Sequence, residues 1–150
     1  MVTVSESVYV HSAPEDVFTY LDDPYHHVEV TPSLVEVRNV RALDNGGKRA
    51  DHTYRMAGVS VDGELVEIIH DPPERLNFEL RGGLEGEIDI RIDPERDGSR
   101  VSYAATYELP GRVLSRVAEP FVRRYNQREL RTTLENLRDR LEIGPVEADD

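Results

Sequence analysis

The chain of 150 residues has the length of one domain, and the lack of cysteine and tryptophan excludes disulfide scaffolds, thiolate zinc sites and thiol nucleophiles. Thirty acidic against eighteen basic residues give a formal net charge of -12, so neither a nucleic acid nor an anionic membrane surface is an expected partner. Only Lys48 is lysine; the other seventeen basic residues are arginine. This composition is expected of a halophilic, archaeal protein, in which concentrated salt screens the self-repulsion of so many acids. Met1 to Ser12 has no basic segment leading into an apolar run, and no stretch approaches about eighteen apolar residues, so a cytoplasmic protein without stable membrane insertion is expected.

Val2 to His11 alternates as a first strand. Ser12-Ala13-Pro14-Glu15 then supplies a helix start, with Ser12 and Glu15 at the spacing of a capping box. Val17, Phe18 and Leu21 give the apolar face of a short helix stopped by Asp22-Asp23-Pro24, and Pro24 to Val30 forms one more helical turn before Thr31-Pro32. From Leu34 the period changes to two. Leu34 to Leu43 and Lys48 to Ala57 are strands joined by Asn45-Gly46-Gly47. Gly58 and Asp62-Gly63 are both turn or bulge signals, which leaves that turn open, and Glu64 to His70 is strand again. Asp71-Pro72-Pro73-Glu74 reverses the chain. Leu76, Phe78 and Leu80, then Gly82-Gly83, then Leu84, Gly86, Ile88, Ile90 and Ile92 form the cleanest half-buried antiparallel pattern. A loop from Asp93 to Ser99 leads to a last strand with Val101, Tyr103, Ala105, Tyr107 and Leu109 on one face.

After Pro110-Gly111 a helix runs to about Glu142. Its apolar stripe includes Leu114, Val117, Phe121, Val122, Tyr125, Leu130, Leu134 and Leu137, and Pro120 kinks or splits it by removing the bond to residue 116. Residues 143–150 form an acidic, disordered tail, so the domain is 1–142. A seven-stranded antiparallel sheet with one apolar face, and a helix with a stripe along its length, are satisfied together if the α+β sheet curls around the helix. Space is then left between them, because Gly86, Ala105 and Ala118 are too small to fill it.

Val8-Tyr9-Val10-His11-Ser12-Ala13-Pro14-Glu15-Asp16-Val17-Phe18 resembles the opening of the START-like, or SRPBCC, superfamily. His70-Asp71-Pro72-Pro73-Glu74-Arg75-Leu76 resembles that superfamily's proline-rich turn between middle strands. Ser99-Arg100-Val101-Ser102-Tyr103 resembles its penultimate strand entry, and Arg131-Thr132-Thr133-Leu134-Glu135-Asn136-Leu137 the end of its long helix. The likeness spans roughly residues 3 to 142. It implies a helix-grip fold with two short helices between strands 1 and 2. It points to the polyketide cyclase/dehydrase and lipid transport branch, which includes coenzyme Q-binding proteins; fold alone does not fix an activity.

The histidines do not form a metal motif. His26 and His27 are adjacent, and none of His11, His52 and His70 has a partner at helical i, i+4 spacing, so no metal is expected and His26 and His27 are expected in solvent. Serine chemistry lacks its motif too, since Ser12 is better explained as a cap and the glycine pairs as hairpin turns. What remains is a set of polar and aromatic residues on inward faces: His52, Tyr54 and Met56 on the third strand, Tyr103 and Tyr107 on the last, and Tyr125 on the helix. With the apolar Phe78, Ile88 and Phe121 they make the expected lining of a ligand cavity, although each tyrosine taken alone is better explained as core. Glu64 or Glu67, and Arg55, are possible buried charges.

The expected function is binding or transport of a small hydrophobic molecule, such as a lipid, an isoprenoid quinone or a polyketide-like aromatic. No cofactor is expected, no catalytic residue is singled out, and the protein is expected as a monomer or weak homodimer. One alternative is a polyketide cyclase/dehydratase-type enzyme in which a tyrosine or histidine moves a proton; another is a ligand-free interaction module. The irregular segments at Pro120 and Pro24 are the expected entrance.

Overall fold

Alternation of apolar and polar residues becomes seven strands in the computed structural model, which describes residues 1–143. They are β1 (Val2–Val10), β2 (Leu34–Ala42), β3 (Lys48–Met56), β4 (Val59–Asp71), β5 (Arg75–Gly82), β6 (Glu85–Glu95) and β7 (Gly98–Glu108). All neighbours pair antiparallel in the order β1-β7-β6-β5-β4-β3-β2. Helices α1 (Pro14–Leu21) and α2 (Pro24–Val30) carry the chain from one edge strand to the other, while α3 (Gly111–Leu114) and α4 (Glu119–Ile143) follow the sheet. The curved sheet holding a long C-terminal helix is the helix-grip fold.

The core sits between the sheet and the helices. Leu76, Ile90, Ile92 and Val101 of the sheet are buried with Val17 and Leu21 of α1 and Val122, Leu130, Leu134 and Leu137 of α4. Burying one such leucine removes enough apolar surface from water to contribute roughly 1.5–3 kcal/mol.

Several boundaries differ from expectation for identifiable reasons. Ser12 does not cap α1: Ala13 occupies the N-cap, with no side-chain bond, and Pro14 leads the helix with no N–H to satisfy. The open turn resolves at Ala57-Gly58, both at positive φ (49° and 76°), as a tight hairpin requires. Gly63 is therefore inside β4, opposite His52 and Gly82, where a Cβ would lie 2.5 Å from the Arg81 carbonyl oxygen. The expected Asp93 to Ser99 loop shrinks to Arg96-Asp97, because β6 and β7 keep pairing out to Glu95 and Gly98.

The C-terminal helix is split, as Pro120 demands. Proline is the second residue of α4, where its missing N–H costs nothing, and Ser115 to Ala118 form the break. The stripe is narrower than expected. At about 100° per residue, Phe121 sits about 160° around α4 from Leu137. Phe121 and Tyr125 accordingly remain 63% and 53% exposed, and Leu114 is exposed as well. As for the acidic tail, Ile143 ends α4 and residues 144–150 lie outside the described residues.

Candidate functional site

Curvature leaves a chamber of about 70 Å³ between α4 and the middle of the sheet. Tyr54 and Met56 of β3, Ile88 of β6, and Tyr103, Ala105 and Tyr107 of β7 reach it from below; Asn126, Glu129, Leu130 and Thr133 reach it from α4. Outside it lies a mostly apolar groove of about 590 Å³ bounded by the Ala57-Gly58 hairpin, Pro32 and Val35, Val117 at the helix break, and Phe121, Val122 and Tyr125. Ser33, Met56 and Asn126 belong to both walls, so groove and chamber adjoin at these three residues. The groove thus borders the helix break on one side and the segment before β2 on the other, and does not reach the region of Pro24.

Of the residues singled out in the sequence, Tyr54, Met56, Ile88, Tyr103 and Tyr107 lie in the chamber wall, and Phe121 and Tyr125 in the groove wall. His52 and Phe78 lie in neither. His52 is 0% exposed, edge-on to Tyr54 with its ring against Gly63, and its ring nitrogens make no hydrogen bond of normal geometry among the described residues. Phe78 is buried against the edge of His27. Both point to the correct face of the sheet, but packing covers them before they reach the open volume.

The groups that sequence reasoning missed come from α4 and the turn before β2. Glu129 Oε2 accepts from the Ser33 N–H at 3.0 Å and from the Ser33 hydroxyl, which leaves Oε1 buried with no partner among the described residues. Asn126 Nδ2 donates to the Tyr107 hydroxyl. The helical spacing of Val122, Asn126, Glu129 and Thr133 carried the signal: polar side chains recur beside the buried stripe instead of opposite it. Burial raises the Tyr54, Tyr103 and Tyr107 hydroxyls above their ordinary pKa, and the nearby Glu129 carboxylate adds to each rise. All three therefore remain protonated donors at neutral pH.

A second polar cluster lies away from the chamber. Glu67, 1% exposed, accepts from the Lys48 backbone N–H at 3.0 Å and lies 2.7 Å from His70 Nδ1, which is 3.5 Å from Asp22 Oδ1. Lys48 Nζ sits 3.0 Å from Asp22 Oδ2. The Asp22, Glu67 and His70 ligand atoms all fall within 4.8 Å of one another, a grouping that could hold a cation. Lys48 already supplies positive charge there. Of the possible buried charges, Glu67 is the inward one; Arg55 is exposed and Glu64 pairs with Arg49 at 2.6 Å on the other face. His26 and His27 are not free in solvent. His26 Nδ1 and His27 Nε2 lie 2.7 and 2.8 Å from the carbonyls of Tyr20 and Leu21, and so satisfy the last turn of α1.

A curved sheet gripping a helix over an apolar chamber defines a class of proteins, and the comparison with known families agrees. The chain belongs to the polyketide cyclase / dehydrase and lipid transport family, which matches residues 1–142. Among solved structures it is similar to a START superfamily protein from Mycobacterium smegmatis, at 17% identity over 94% of this chain and 97% of that one, TM-score 0.75. It is similar to a protein from Thermus thermophilus at 23% identity over 99% of both chains, TM-score 0.73. It also matches the di-domain ARO/CYC BexL from the BE-7585A biosynthetic pathway, at 20% identity over 95% of this chain and 50% of that one, TM-score 0.73. At these identities the structures speak for the fold alone. No match to a curated protein accompanies them. Among the described residues, no helix is long and apolar enough to cross a membrane.

Proposed function

We propose that the protein binds a small hydrophobic molecule, a lipid, isoprenoid quinone or polyketide-like aromatic, with its apolar body in the groove and its polar end in the chamber. The observation that carries this reading is the adjacency of a mostly apolar groove and a tyrosine-lined chamber, which share Ser33, Met56 and Asn126 as wall residues. The chamber alone is too small, since a cavity of about 150 Å³ is what holds a benzene ring. Covering ~200–300 Å² of apolar ligand surface contributes about 5–7 kcal/mol before the entropic cost of association. Micromolar affinity follows without any special group. The family description and the shared fold support this class of ligand. The acidic, lysine-poor composition supports a salt-adapted, halophilic and archaeal source, and the proposal assigns the protein to the cytoplasm as a monomer or weak homodimer, with no cofactor.

One observation favours a second reading, a cyclase/dehydratase-type enzyme: the Glu129 carboxylate and the tyrosine hydroxyls of the chamber are groups that could accept and deliver protons. Native mass spectrometry of the purified protein tests the primary reading. A stoichiometric adduct that organic extraction identifies as an apolar small molecule is expected. Protein that carries no such adduct, and takes up none from a lipid and polyketide extract, would contradict it.

A further inference from the structure

We infer that the chamber selects ligands whose polar end is a neutral hydroxyl, alcoholic or phenolic, over those ending in a carboxylate, an amine or a bare carbonyl; this rests on the ligand-binding reading above. Two donors of Ser33, its N–H and its hydroxyl, converge on Glu129 Oε2. They fix the carboxylate of this chamber-lining residue and leave Oε1 buried and without a partner among the described residues. A buried carboxylate oxygen is satisfied only by an incoming hydrogen-bond donor.

The remaining polar groups of the chamber ask for the reverse. Tyr54 and Tyr103 line it with hydroxyls that bond to no protein group among the described residues and that burial keeps protonated. Tyr107 accepts from Asn126 and retains its own proton to give. The site therefore offers one acceptor-only group, Glu129, among hydroxyls that can donate, around a volume of about 70 Å³ walled in part by Leu80, Leu84, Ile88, Ala105 and Leu130. A hydroxyl donates once and accepts twice, and it fits that space. A ligand carboxylate brings a second acceptor-only group to Glu129 and no proton to share with it. An ammonium must be desolvated among leucines, and an aldehyde, ketone or quinone carbonyl leaves Oε1 unpaired, so of the ligands proposed above a quinone is favoured only as its hydroquinone.

The test compares binding of 4-octylphenol, 4-octyltoluene, 4-octylbenzaldehyde, 4-octylbenzoate and 4-octylbenzylamine by isothermal titration calorimetry. Toluene matches phenol in shape and exceeds it in hydrophobicity, so only a hydrogen bond can rank phenol first. The expected result is that 4-octylphenol binds at least about tenfold more tightly than every other probe. In Glu129→Gln the amide oxygen keeps the two Ser33 donors and the amide N–H group turns to the chamber. The phenol-to-benzaldehyde ratio should then fall by at least about tenfold or invert. Micromolar binding of 4-octyltoluene equal to that of 4-octylphenol, or tightest binding of the amine, overturns the head-group assignment and leaves the ligand-binding reading standing. Failure of every probe to bind overturns both. The wild-type series decides the matter even if Glu129→Gln does not fold.

Discussion

Glu67 and His70 share one face of β4, Oε2 to Nδ1 at 2.7 Å, although residues three apart on a regular strand point to opposite faces. A bulge makes this possible: the register against β5 steps from Glu67↔Phe78 to Ile69↔Asn77, which leaves Ile68 unpaired and exposed. The Gly46-Gly47 turn closes over the pair so tightly that a Cβ on Gly46 would lie 2.8 Å from the His70 ring and one on Gly47 2.7 Å from the Glu67 carboxyl carbon. Burial pushes the Glu67 carboxyl up, opposed by the hydrogen bond to His70.

Removing His70 should therefore strand a buried carboxylate beside Asp22. His70→Leu is expected to cost about 3–5 kcal/mol in urea unfolding at neutral pH. A loss within about 0.5 kcal/mol, the range of ordinary surface changes, would mean that Lys48 alone suffices to satisfy the cluster.

His52 sets a pH dependence. Burial lowers its pKa, and that of His27, below the ordinary value of 6.5, so the folded state takes up protons later than the unfolded chain. Stability is accordingly full above that value and is lost as pH falls below it towards the folded-state pKa. His52→Leu removes a buried ring whose nitrogens are poorly satisfied among the described residues, and an unsatisfied buried polar group costs roughly 1–3 kcal/mol. The variant should melt no lower than the parent at pH 7 and show a flatter decline in midpoint between pH 7 and 5; an unchanged slope would exonerate His52.

The two sides of α4 should respond differently to truncation. Leu137→Ala, in the core, is expected to cost about 2–5 kcal/mol. Phe121→Ala, in the groove wall, should stay within about 0.5 kcal/mol. Chemical denaturation of both variants checks the orientation of the helix, and a large loss from Phe121→Ala would reverse it.

The net charge of -12 makes the fold sensitive to ionic strength. Unfolding midpoints should climb from low salt to about 1 M KCl and beyond as the screening length falls from about 30 to 3 Å. A flat or falling series would remove the argument for salt adaptation.

The strands were legible because period-two alternation in segments such as Leu76 to Leu80 and Ile88 to Ile92 has only one way to bury its apolar face. The chamber's tyrosines were legible for the same reason, since strand parity assigns Tyr54, Tyr103 and Tyr107 to that face. Glu129 was not, because a glutamate on an amphipathic helix ordinarily marks the solvent side, and Ser33 reaches it only through tertiary folding. The same holds for Asp22, Glu67 and His70, which come together through a bulge that no local pattern announces. Phe121 and Tyr125 misled because hydrophobicity alone does not separate a helix face that is packed from one that borders a groove.

Calorimetric titration with 4-octylphenol tests the ligand-binding account most directly when the parent is compared with Ala105→Leu and Asn126→Phe, which fill the chamber and its boundary with the groove. Saturable binding by the parent at about micromolar concentration, lost in both variants while their melting temperatures stay near the parent's, is the result predicted. Binding that survives both substitutions unchanged, or no saturation by the parent up to about 1 mM, would contradict it.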